Sequence, residues 1–201
     1  MALELNEYTL SKKTQAAPDS HGGLLTLTAS TTRSIVPPGV TDFVSESIPI
    51  GFRFSLASTP IDCFVVCGRG WVRFAGADAV TASLPTQGFA SSDAVIVFPW
   101  WESIKTSAHV KTCLSGSSGS YVRVIEWTCY CSQDDTTSNY DIVSFQVALY
   151  EADQSIEFRY GAITHVGGGG SGYGAACGVK QNSSSGVAGN VRDFFGSGGS
   201  P

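Results

Sequence analysis

The run from Phe145 to Tyr160, FQVALYEADQSIEFRY, constrains the fold of this chain more than any other, because two stretches of alternating apolar residues flank a short polar break. Alternation with a period of two marks a half-buried strand. Phe145, Val147 and Leu149 fall on one face of the first strand, Ile156, Phe158 and Tyr160 on one face of the second, and Ala152 to Ser155 make the turn. Gln146, Glu157 and Arg159 point the other way. A two-stranded ribbon is not stable by itself in water, so the apolar face requires a second layer, and the chain is expected to be a β-sandwich or barrel.

Successive runs repeat the pattern. IPIGFRF from Ile48, IDCFVVCGRGWVRFAG from Ile61, DAVIVFPWW from Asp93 and YVRVIEWTCYC from Tyr121 are short, β-branched or aromatic, and bounded by Gly, Pro, Asp or Ser. AACGVKQ, after a Gly-rich loop, predicts a last strand, and no segment carries helical periodicity. The expected fold is all-β, a two-layer antiparallel sandwich of jelly-roll-like type. Residues 1–44 hold only Leu24 to Leu27 and Ile35 to Val36 as apolar signals before Pro37-Pro38-Gly39, and read as an extended arm with at most one strand. Residues 45–185 make the sandwich, and 186–201, ending GSGGSP, read as a flexible tail.

With 201 residues the chain can bury one substantial core, and a second full domain is not expected. Charged residues make up 14%, against roughly 25% in ordinary soluble proteins, which suits a neutral surface or one packed against neighbours. The net charge of −5 and the lack of a basic stripe argue against nucleic acid as a partner. The first residues, MALELNEYTLSKKTQ, lack the apolar core of a signal peptide, and no run approaches the ~20 apolar residues that span a bilayer, so no membrane role is expected.

Six cysteines, Cys63, Cys67, Cys113, Cys129, Cys131 and Cys177, leave three readings open: buried thiols, cross-strand disulfides, or a metal site. Cys129 and Cys131 lie two apart on one strand, which does not suit disulfide geometry. Cys63 and Cys67 would stand about 13 Å apart along another. Only His21, His109 and His165 could add to a zinc set.

The order of these runs, IPIGFRF, GRGWVRFAG from Gly68, DAVIVFPWWESI, VIEW from Val124 and FQVALYEADQSIEFRYG, resembles the β-sandwich modules of bacterial extracellular and phage-associated proteins. It is more distantly similar to the nidogen-type extracellular domain. The resemblance covers about residues 45 to 182. It implies a two-layer antiparallel fold used in adhesion, display or structural roles, and no catalytic residues. This chain departs from the pattern at Arg69, where those modules carry asparagine, and at Trp100, Trp101 and Glu102, where they carry an acidic pair.

Other motifs carry less. GGGGSG at Gly167 to Gly172 satisfies G-x-G-x-x-G, but a strand follows it where a dinucleotide site needs a helix. Ser171 near His165 lacks a nucleophile elbow, and Asp134 and Asp135 sit in a polar connection. Asn182-Ser183-Ser184 forms a glycosylation sequon, which matters only in a eukaryotic secretory route. No cofactor is called for.

The expected function is that of a non-enzymatic virion protein, assembled in a bacterial cytoplasm and placed on the virion surface. There it would decorate or cement a bacteriophage capsid as a homotrimer. Its partners would be the major capsid protein and copies of itself, with Leu3, Leu5, Tyr8 and Leu10 as the arm's anchors. The alternative is a carbohydrate-binding or adhesion module on a tail or cell surface, with Trp101 and Tyr173 as a platform for a glycan.

Overall fold

The computed structural model describes residues 23–36, 43–56, 59–75, 95–101, 106–132, 140–161, 164–166, 176–180 and 186–190. Every helical or extended segment among them is a strand: β1 (Arg33–Val36), β2 (Ile48–Leu56), β3 (Thr59–Cys67), β4 (Trp71–Ala75), β5 (Val95–Trp101), β6 (Thr106–Ser115), β7 (Val122–Ser132), β8 (Tyr140–Tyr150), β9 (Ile156–Tyr160), β10 (Thr164–Val166), β11 (Ala176–Lys180) and β12 (Gly186–Asn190). They form two six-stranded sheets. The first runs β1-β6-β7-β8, with β9 and β10 both paired to the far edge of β8, and the second runs β12-β11-β5-β4-β3-β2. All pairings are antiparallel.

The all-β, two-layer antiparallel sandwich expected from the alternation is therefore what the chain adopts. Its connectivity is plainer than a jelly roll: β2 to β5 and β6 to β9 are consecutive meanders, one per sheet, and β11 returns beside β5. Within the segment expected as an arm, β1 pairs with β6 and belongs to the first sheet. Within the segment expected as a tail, β12 pairs with β11 along its whole length.

The inward faces follow from strand periodicity. Register sets Val110, Trp127, Phe145 and Tyr160 in one row across the first sheet, and Thr112, Ile125, Val147 and Phe158 in the next. The Trp127 and Phe145 rings stack with centroids 5.2 Å apart. Opposite them stand Ile50, Phe54, Phe64, Val66, Val72, Phe74 and Val97 of the second sheet, all buried in the same cluster. Each such side chain contributes about 1.5–3 kcal/mol by leaving water.

Hydrogen bonds between the layers sit where the ladders break. Register slips in β2 between Pro49 and Phe54, and between β5 and β11 opposite Cys177. Bulges leave main-chain groups without a ladder partner, and a buried carbonyl in that position needs another donor. Arg123 Nε donates to Ile50 O at 2.9 Å, and Tyr160 Oη donates to Pro99 O at 2.7 Å. A third bond, from Trp127 Nε1 to Cys67 O at 2.9 Å, reaches the β3–β4 turn. These three side chains of the first sheet fix its position over the second.

Candidate functional site

The alternation that sends Trp127 and Phe145 inward sends their neighbours outward, and cross-strand register lines these up. Ser34, Lys111, Glu126, Gln146 and Arg159 form one row on the outer face of the first sheet. Cys113, Val124, Ala148 and Glu157 form the adjacent row. A polar outer face is ordinarily solvated, yet Gln146 is 0% exposed and Cys113, Val124 and Ala148 are buried as well.

The cover is the chain's own segment from Gly23 to Thr32. Arg159 Nε donates to Gly23 O at 2.7 Å. Gln146 accepts from Leu25 N at 2.8 Å through Oε1 and donates to Leu25 O at 2.9 Å through Nε2, which also donates to Glu126 Oε2 at 2.7 Å. The two bonds to Leu25 reproduce, with a side-chain amide, the pair that opposed residues exchange in an antiparallel ladder. Leu24 is buried against Gly161, where a Cβ would come within 3.0 Å of Leu24 Cδ1. A side chain there would make the leucine give by a few tenths of an ångström.

From Leu25 the segment passes over β7 to β6. Thr28 O accepts from Thr31 N at 3.0 Å and from the Thr32 hydroxyl at 2.7 Å, closing a turn. Thr31 Oγ1 lies 3.0 Å from Cys113 Sγ. Beyond this turn the chain enters β1, where Ser34 Oγ lies 3.2 Å from His109 Nε2. Burial, followed by the neighbouring Lys111, holds the His109 imidazole below its ordinary pKa, while Glu126 acts in the opposite sense.

The far end of the row is a charged relay. Glu157 Oε2 accepts from Tyr150 Oη at 2.6 Å and pairs with Arg159 Nη1 at 3.1 Å. Burial, reinforced by the bond to the Glu157 carboxylate, pushes the Tyr150 hydroxyl up to about 12. The relay holds Arg159 in place over Gly23. Beside it, the β8–β9 turn is clamped in the same manner: Gln154 accepts from Ser55 N at 2.7 Å and donates to Glu151 O at 2.7 Å. Gln154 takes a positive φ of 58°, which an unbranched side chain tolerates at a turn.

The face thus holds an extended segment through main-chain bonds and one leucine, the chemistry of peptide recognition. Of the residues singled out in the sequence, Leu3, Leu5, Tyr8, Leu10 and Tyr173 lie outside the described residues, as do Asp134, Asp135 and Ser171. Trp101 is placed by its main chain alone, opposite Ala176 at the end of β5. No pattern marks Gln146 or Leu24 as a site residue, and Cys113 enters the sequence reading only as one of the six cysteines. The one signal was the outward phase of Gln146 and Arg159 in the hairpin. Cys63, Cys67, Cys113, Cys129 and Cys177 are all buried. Among the described residues no three His, Cys, Asp or Glu side chains come together as a metal would require.

Fold and face together define a β-sandwich module whose outer sheet surface is covered by the chain's own Gly23–Thr32 segment. The family model described as NIDO related matches residues 19–194. The chain belongs to the NIDO-related family, in keeping with the nidogen-type part of the resemblance. No curated protein and no solved structure gives a match.

Proposed function

We propose that this protein is a non-enzymatic structural component of a virion that decorates or cements a bacteriophage capsid, with the residues before Gly23 reaching the major capsid protein. The observation that carries this reading is the way the N-terminal segment is held. Gln146 and Arg159 grip its main chain on the outer side of the first sheet, so Gly23, though buried, lies outside the core enclosed between the two sheets. A chain anchored there can add contacts at a neighbouring subunit while the sandwich keeps its own core, and many modest contacts repeated over a shell give avidity. Leu3, Leu5, Tyr8 and Leu10 supply the apolar side chains for that contact.

The test is a density gradient of a lysate from cells producing the particle, probed for this protein. Sedimentation with the shell protein in fixed ratio, abolished by deleting residues 1–22, is the expected result. Recovery only as unattached protein that binds a glycan array would overturn it in favour of adhesion.

A further inference from the structure

The outer face of the first sheet is a built site for an extended peptide, and in one copy it is filled by that copy's own Gly23–Leu27. We infer that these segments are exchanged between copies, the Gly23–Leu27 strap of one protomer seating on the Gln146 face of the next. This rests on the reading above, that the protein works as an assembled array, and names the contact between its copies.

Three observations carry it. First, the docking contacts are self-contained: Arg159 on Gly23 O, Gln146 on both main-chain groups of Leu25, and Leu24 in the Gly161 notch. All are made by β8, β9 and the residue that follows β9, and none involves the strap's connection to β1. A strap arriving from another copy would find every one of them. Second, the connection is a local turn. Thr28, Ala29, Ser30 and Thr31 are exposed, and the turn's internal bonds converge on the single carbonyl of Thr28. Straightening it breaks those bonds and the Cys113 contact, while β1 stays paired to β6. Third, the ligand is matched by construction, since every copy carries both strap and face. Exchange of an identical element replaces each contact with its equal, and the balance then turns on local concentration, which a shell surface raises.

The test uses the tight approach of residue 24 to residue 161. A Cβ at 161 would lie 3.3 Å from Leu24 Cγ, the position a cysteine sulfur takes, which is within disulfide reach. Leu24→Cys and Gly161→Cys are made singly and together in the full chain, with the wild type as control for native thiols. The two single variants, carrying different tags, are produced in the same cells, oxidised mildly and run without reductant. The expected result is a linked pair containing one chain of each variant, at about twice the 21.1 kDa chain mass, formed by neither single variant alone. The double variant should give linked multimers. If the double variant closes only within single chains and the mixed variants give no linked pair, the strap stays at home and the inference fails. If the double variant forms no cross-link of either kind, the strap contact itself is absent in solution, and the inference fails equally. Sedimentation with particles is scored separately, so loss of strap exchange with particle binding retained overturns only this inference.

Discussion

The side-chain amide of Gln146 meets both main-chain groups of Leu25, accepting from its N–H at 2.8 Å and donating to its carbonyl at 2.9 Å across 121 residues of sequence. A buried carboxamide must have its donors and acceptor satisfied, and here one backbone residue and the Glu126 carboxylate do so. The segment before β1 is therefore part of the folded unit.

Gln146→Leu is expected to destabilise the protein by about 1–3 kcal/mol, because the Leu25 groups lose their partner and Glu126 loses a donor. Gln146→Glu should cost more. It sets a second carboxylate beside Glu126 and removes the donor to Leu25 O. Urea denaturation of the two variants against wild type measures both the size and the order.

Gly51 and Gly119 separate backbone strain from crowding. Both take positive φ, 94° and 86°, but a Cβ at Gly51 would lie 2.9 Å from Arg123 Nη2 and from Leu114 Cδ2, while at Gly119 it meets nothing within 4 Å. Gly119→Ala is expected to cost about 1 kcal/mol, the strain alone. Gly51→Ala adds displacement of the guanidinium that satisfies Ile50 O, for a total of about 2–4 kcal/mol. Equal losses in thermal or urea melts would refute the account of Arg123.

The sandwich was legible because its signal is local. Phe145, Val147 and Leu149 recur at every second position with smaller or polar residues, Gln146 and Ala148, between them, and all three are buried as that phase requires. The peptide-holding face was not legible for the same reason. Gln146 in an outward phase reads as a solvated residue, and only the arrival of Leu25 over it, a long-range event, turns it into a buried clamp. The bulges at Ile50 and Pro99 were equally hidden, since they are defined by partner strands far away in sequence. Ile35 and Val36 gave a faint signal for the edge strand at 33–36, whereas the short, glycine-containing run at 186–190 gave none.

Stability should fall at alkaline pH, starting near 10. Burial, with Cys177 adding to it, holds the Tyr160 hydroxyl well above its ordinary value of 10.0, and burial with Glu157 pushes Tyr150 to about 12. In each case the folded state keeps its proton where the unfolded chain releases it. The stabilisation is thus complete below pH 10 and is lost as pH rises toward the folded-state values. Tyr160→Phe loses the bond to Pro99 O, about 1 kcal/mol at neutral pH, but should flatten the alkaline slope. Melting temperatures from pH 8 to 11 for wild type, Tyr150→Phe and Tyr160→Phe check the sign.

The five buried thiols should react slowly with a water-soluble thiol reagent in the native protein and rapidly after unfolding. Cys113, which lies beneath the strap, should react before those in the core once Gln146→Leu has loosened its cover. Mass spectrometry of labelled peptides over time gives the order, and protection of Cys113 equal to that of Cys129 in this variant would count against the strap's role as its cover.

The most direct measurement is amide hydrogen exchange at Leu25, by two-dimensional NMR of the full chain and of Gln146→Leu. The account predicts a strongly protected Leu25 N–H in the wild type, and loss of that protection in the variant while Phe145 and Val147 in β8 stay protected. A Leu25 amide that exchanges at the rate of an open chain in the wild type would contradict it.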